Sequence, residues 1–264
     1  MSGGMDHAHS LAVSLRGLRL PGFAAHWADL ALEAERGAWS FGQYLHRLCE
    51  LEDEGRRHRR IQRHLKGSNL PLEKTLATLE VSRLPPKVRR QLPTLCEGGF
   101  VDRGENLLAF GLPGRGKTHL ACAVGHELVR RGHRVLFSPT SMFVQRLLQA
   151  KRDLLLERDL GRLDRFDLVI LDDPGYVQQD RAEMEVLFTF LAERYERKSV
   201  AITSNLVFSQ WDRIFKDPMT TAAAIDRVVH HSVILELTGP SFGQNEAEKQ
   251  LTEDLKRVEQ VAES

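Results

Sequence analysis

An α/β fold, a parallel sheet flanked by helices and preceded by a small all-helical domain, is predicted by three observations. Apolar runs of strand length alternate with helical periodicities after residue 105. A glycine-rich motif joins the first of those strands to a helix. The preceding hundred residues show only the helical period. The chain has 264 residues, 42% of them hydrophobic, which is enough for a real core and excludes global disorder. Its net charge is only +1, so bulk charge names no partner. Cys49, Cys96 and Cys122 are far apart and odd in number, which fits a reducing compartment and no disulfide framework. Met1 to Ser10 holds no apolar signal segment, and no run approaches the ~18 apolar residues of a spanning helix. A cytoplasmic protein with no membrane partner is expected.

In the helical part, Leu11, Leu15 and Leu18 form a short apolar repeat that ends at Leu20-Pro21-Gly22. A second helix carries Trp27, Leu30, Ala31 and Ala34 and stops near Gly37. Ser40-Phe41-Gly42-Gln43 then fits a capping box, with serine and glutamine three residues apart to satisfy each other's backbone N–H. Phe41, Leu45, Leu48 and Leu51 give the third helix its apolar face. Along that helix Glu50, Glu52, Asp53 and Glu54 precede Arg56, Arg57, Arg59, Arg60, Arg63 and Lys66, six cations in eleven residues with no acid among them. Such a field suits DNA phosphates, and it equally suits a solvated helix end facing its own negative dipole. Prolines 71, 85 and 86 interrupt the pattern, so residues 67–99 read as a connector with short helices. The domains expected are 1–80, helical with its connector, and 81–264, the α/β domain.

The first strand of the α/β part is Glu105 to Phe110, and the helix that follows runs from His119 to Arg131 with Gly132 as its stop. Between them, Gly111-Leu112-Pro113-Gly114-Arg115-Gly116-Lys117-Thr118 matches the phosphate-loop pattern. Glycines let the backbone curl so that N–H groups face the phosphates, and the helix dipole adds to them. Lys117 would reach the β- and γ-phosphates of ATP, and the Thr118 hydroxyl would ligate Mg²⁺. Further strands are expected at Arg134 to Ser138, Asp167 to Leu171, Ser199 to Ser204 and Val233 to Leu237, with helices at Thr140 to Ala150, Glu183 to Arg197 and Ile225 to His230.

Leu168-Val169-Ile170-Leu171 is followed by Asp172-Asp173, placing two acids at the end of a buried strand, where open α/β sheets bind ligands. Asp172 would hold Mg²⁺ and Asp173 would polarise the attacking water. Asn205, after the next strand, can hold that water or sense the γ-phosphate, or it can simply cap a turn. Arg227, in Asp226-Arg227-Val228-Val229-His230-His231, can stabilise the transferred phosphoryl, although a lone helical arginine is commonly a surface cation. The His7/His9 and His230/His231 pairs lack cysteine or carboxylate partners in sequence and are read as structural or solvated.

Leu18-Arg19-Leu20-Pro21-Gly22, Gly116 to Ala121, Leu171-Asp172-Asp173, Thr203-Ser204-Asn205-Leu206 and Asp226 to His231 together resemble the IstB-like helper ATPases of bacterial insertion-sequence transposition. These are AAA+ P-loop proteins related to the DnaC-like helicase loaders, and the similarity runs from about Leu11 to Ser241. The resemblance implies an N-terminal DNA-binding domain joined to an ATPase that assembles on duplex target DNA for a partner transposase. It also implies homo-oligomers in which Arg227 is an arginine finger reaching a neighbouring subunit. A replicative helicase loader is the alternative. Two departures stand out. Asp173 replaces the glutamate of most AAA+ proteins, which weakens the case for fast turnover more than that for ATP binding. Gly243 stands where the family usually has an arginine, so any contact made by that arginine is absent.

Overall fold

The computed structural model describes residues 3–173, 181–205 and 228–237. Arg227 and Gly243 lie outside the described residues. The chain divides into two compact units, residues 1–63 and 64–264.

The first unit is helical. Helix α1 (Gly3–Gly17) ends in a turn where Arg19 takes φ 56° and Leu20 N–H donates to Leu15 O (2.9 Å). Pro21 opens α2 (Pro21–Arg36), at a position where a missing N–H costs nothing. Helix α3 (Phe41–Ser68) begins at the expected capping box: Ser40 N–H donates to Gln43 Oε1 (2.8 Å) and Gln43 N–H to Ser40 Oγ (3.2 Å). Gly22 packs so closely on α3 that a Cβ there would lie 2.8 Å from Glu52 Oε2 and 2.9 Å from its Cα. Glycine in Leu-Pro-Gly is therefore a packing requirement as well as a turn signal.

The two compact units meet between Arg63 and His64, earlier than the boundary near residue 80 that the prolines suggest. The reason is packing inside the second unit. Leu70 is buried and would lie 3.1 Å from a Cβ on Gly125, Pro71 O accepts from His126 Nε2 (2.9 Å), and Thr75 O accepts from His119 Nε2 (3.1 Å). The connector is thus held against the helix of the phosphate loop, α6 (Lys117–Arg130). Within residues 67–99 the expected short helices are one 3₁₀ turn, Val81–Arg83, and α4 (Pro86–Glu97), with α5 (Gly99–Asp102) after it.

The sheet contains β1 (Asn106–Phe110), β2 (Val135–Pro139), β3 (Leu168–Asp172), β4 (Ser199–Ser204) and β5 (Ser232–Glu236), all parallel, in the order β2-β3-β4-β1-β5. Fully apolar strands such as Leu107-Leu108-Ala109-Phe110 are what a sheet covered on both faces demands. One face packs on α7 (Thr140–Arg152) and α9 (Arg181–Arg194), with Phe143 and Phe190 edge to face at 4.6 Å. On the other, Ile170 approaches α6 at Gly125. A short helix that the sequence reading missed, α8 (Leu156–Leu163), lies between α7 and β3. Arg194, 2% exposed, donates to Leu163 O, Phe166 O and Ser199 O and so binds the end of α8 to β4. Burial lowers its pKa to about 10, with the charges of Asp164 and Asp167 opposing the shift, so it remains charged at neutral pH.

Candidate functional site

Register brings the site together. Phe110 pairs with Ser204, and Asp172 with Thr203, so the C-terminal ends of β1, β3 and β4 finish side by side with β4 in the middle. The chain leaving β1 turns at once. A Cβ on Gly111 would lie 2.5 Å from Leu237 O, and Leu237 N–H donates to Phe110 O (2.7 Å), so β5 closes against the loop's first residue. Gly114 (φ 72°) and Gly116 (φ 78°) adopt the left-handed region that favours glycine, and α6 starts at Lys117. The strand–loop–helix context required for phosphate binding is present.

Lys117 is 7% exposed, and its ammonium donates to Gly111 O (2.7 Å), Leu112 O (2.9 Å) and Asn205 Oδ1 (2.7 Å). Burial lowers its pKa, and the charges of Asp173 and Asp172 oppose that shift. Asn205 Nδ2 in turn donates to Asp173 Oδ2 (2.9 Å). One amide therefore spans the lysine of the loop and the second acid of β3. Asp173 leaves its strand at φ 47°, with its N–H donating to Thr203 O (3.0 Å).

The first acid has different company. Thr118 Oγ1 donates to Asp172 Oδ1 at 2.6 Å and Thr203 Oγ1 to the same oxygen at 2.5 Å, while Thr140 Oγ1 donates to Asp172 O (3.0 Å). Lys117, Thr118, Asp172, Asp173 and Asn205 thus form one connected group. Thr203 is the member that sequence reasoning passed over. A threonine inside a strand has no signature of its own, and only its register opposite Asp172 marks it.

The cationic run lies on α3. Glu52, 4% exposed, receives Gly22 N–H (2.6 Å) on Oε2 and Arg56 Nε (2.8 Å) and Arg59 (3.4 Å) on Oε1. Arg56 also donates to Arg19 O (3.2 Å), and Arg63 Nε donates to Arg59 O (3.4 Å). Burial alone would raise the Glu52 pKa, but the hydrogen bonds from Arg56 and Gly22 and the charges of Arg56 and Arg59 outweigh it and hold it below 4.5. Arg57, Arg60 and Lys66 are exposed and make no such pairing among the described residues.

The sequence profile of the IstB-like ATP binding proteins matches residues 13–250. The chain belongs to that family. An insertion sequence ATP-binding protein of Sinorhizobium fredii, y4iQ/y4nD/y4sD, is 43% identical over 238 residues, 90% of this chain and 80% of that one. The insertion sequence IS21 ATP-binding protein of Pseudomonas aeruginosa is 36% identical over 241 residues, 91% of either chain. The fold is also similar to that of the replication initiator DnaA, solved bound to AMPPCP and single-stranded DNA. There the TM-score is 0.55 at 19% identity, over 66% of this chain and 52% of that one. The IstB-like chain is an ATPase with an AAA+ P-loop fold, and its family is associated with insertion sequences. Among the described residues no helix is long and apolar enough to cross a membrane.

Proposed function

We propose that the chain is the ATP-hydrolysing helper of an insertion sequence, assembling on duplex DNA to recruit or stimulate a transposase. The observation that carries this reading is the Lys117–Asn205–Asp173 chain beside the Thr118–Asp172 pair, in a protein whose relatives are insertion-sequence proteins. Lys117 compensates charge on the β- and γ-phosphates. Asp173 takes the proton of the attacking water, and Asn205 orients that water. Thr118 and Asp172 offer hard oxygen donors of the kind Mg²⁺ takes; they would hold that ion, which would supply positive charge to offset the developing phosphate charge. Of the six cations Arg57, Arg60, Arg63 and Lys66 supply the phosphate-backbone contacts, since Arg56 and Arg59 are engaged by Glu52. The compartment is the bacterial cytoplasm.

Arg227 completes the site of a neighbouring subunit. An arginine finger is worth ~10³–10⁵ in rate, so Arg227→Ala is expected to bind ATP yet be nearly inactive. Mixing it with Asp173→Asn should restore part of the DNA-stimulated ATPase activity, because some interfaces then pair an intact acid with an intact finger. No recovery at any ratio, with co-assembly confirmed, would mean that Arg227 acts in cis or only supports structure. The helicase-loader alternative draws on fold alone. Co-purification with the transposase encoded beside this gene favours the helper, and co-purification with replicative helicase instead would replace it.

A further inference from the structure

The fold supplies what the His230/His231 pair lacks in sequence. Glu196 lies in the turn between α9 and β4, and the histidines lie in the turn leading into β5, so all three side chains meet at the N-terminal end of the parallel sheet. The phosphate loop follows the C-terminal end of β1, and a five-residue strand separates the two ends by roughly 15 Å. The two turns are fixed. Asn106 N–H donates to His231 O (2.7 Å), Asn106 Nδ2 to Val228 O (3.0 Å), and Val200 N–H to Asn106 Oδ1 (2.9 Å), so one buried asparagine ties the start of β5 to β4 beside Glu196.

His231 Nε2 is 3.3 Å from Glu196 Oε1, and the donor atoms of the three residues all lie within 4.8 Å of one another. The imidazoles stand edge to face, with centroids 4.4 Å apart and planes at 80°. A tetrahedral Zn²⁺ with ligand bonds of about 2.0–2.1 Å holds its donors roughly 3.3 Å apart. The His231–Glu196 spacing meets that requirement, and the His230 donor lies within 4.8 Å of both, its Nδ1 being 3.5 Å from the Tyr195 hydroxyl. Two imidazoles and one carboxylate leave a fourth position for water, and the nitrogen donors favour Zn²⁺ and its neighbours over Mg²⁺.

We propose that His230, His231 and Glu196 form a Zn²⁺-class metal site that clasps the turn before β4 to the start of β5, separate from the Mg²⁺–ATP site. A bare ion pair between protonated His231 and Glu196 has no use for His230, which makes that residue the discriminating one.

The test is a Zn²⁺ titration of metal-free, tag-free full-length protein against a chromophoric chelator. A Cys49→Ser background removes the exposed thiol as a competing ligand. One equivalent is expected to bind, and His230→Gln, His231→Gln and Glu196→Gln should each weaken it more than about tenfold. His7→Gln/His9→Gln should change nothing, and excess Mg²⁺ should not compete. Zn²⁺ should raise the melting temperature of the parent protein and leave the three variants unmoved. Their exposed side chains make misfolding a minor concern, and metal-free melting curves verify it; should one variant misfold, the other two decide the outcome. Absence of the bound equivalent, or unchanged affinity in any well-folded variant of the three, would overturn the site.

Discussion

The two compact units treat their polar residues in opposite ways. In the ATPase unit each motif residue meets a partner from a different strand end: Lys117 meets Asn205, Asn205 meets Asp173, and Thr118 meets Asp172. In the helical unit the cations of one helix divide between two duties, with Arg56 and Arg59 turned to a buried carboxylate and Arg57 and Arg60 left to solvent. Phosphate chemistry demands particular residues at particular spacings, so its site can be read along the chain. An arginine beside a carboxylate and an arginine awaiting a phosphate have the same sequence, and only the fold separates them.

The larger of the effects that bear on this contrast tests its ATPase half. Asp173→Asn keeps an acceptor for Asn205 Nδ2 and leaves Thr118 and Asp172 in place, so ATP binding should persist. Hydrolysis should fall by about 10²–10⁴, the usual contribution of a general base. Binding measured with a fluorescent nucleotide, beside single-turnover hydrolysis, checks both. Undiminished turnover would remove Asp173 from the proton-transfer role and leave it a positioning partner of Asn205.

A smaller effect sharpens the helical half. Replacing Arg57, Arg60 and Lys66 with Ala should reduce the salt dependence of duplex binding by up to about 2.7 log–log units, at about 0.9 per phosphate released. ATP binding should not change. Replacing Arg56 and Arg59 should instead lower the melting temperature, because it strips a buried carboxylate of its partners. Identical behaviour of the two sets would erase the division of labour drawn from Glu52.

What could be read in advance follows the same physical line. The capping box at Ser40, the phosphate loop, the five strands and the acid pair are local patterns, and local patterns survive in sequence. Prolines mark residues 67–99 only as a connector with short helices, yet His119 and His126 donate from α6 to the carbonyls of Thr75 and Pro71, partners more than forty residues apart in sequence. Helix α8 has only eight residues and half of them are charged, so its period hardly shows. In sequence Glu52 is one of four acids that precede the cations of α3. Its role depends on Gly22, thirty residues earlier, allowing the backbones to touch.

The smallest expected effect probes that contact directly. The Glu52 carboxyl is held below its usual 4.5, so the folded state binds fewer protons there than the unfolded state. Its stabilisation is therefore fully present above about pH 4.5 and is lost as pH falls through the lowered folded-state value. Glu52→Gln should cost about 1 kcal/mol at neutral pH, a modest figure because both arginines are half exposed. The gap between parent and variant should then narrow in acid. Tryptophan fluorescence reports mainly on this unit, since Trp27 and Trp39 lie in it and only Trp211 does not. Urea unfolding of the full chain at pH 7, 5 and 4 gives the three points required. A gap that stays constant across them would mean that Glu52 acts through shape and neutral hydrogen bonding alone, and the arginines beside it would then return to the pool of cations available to DNA.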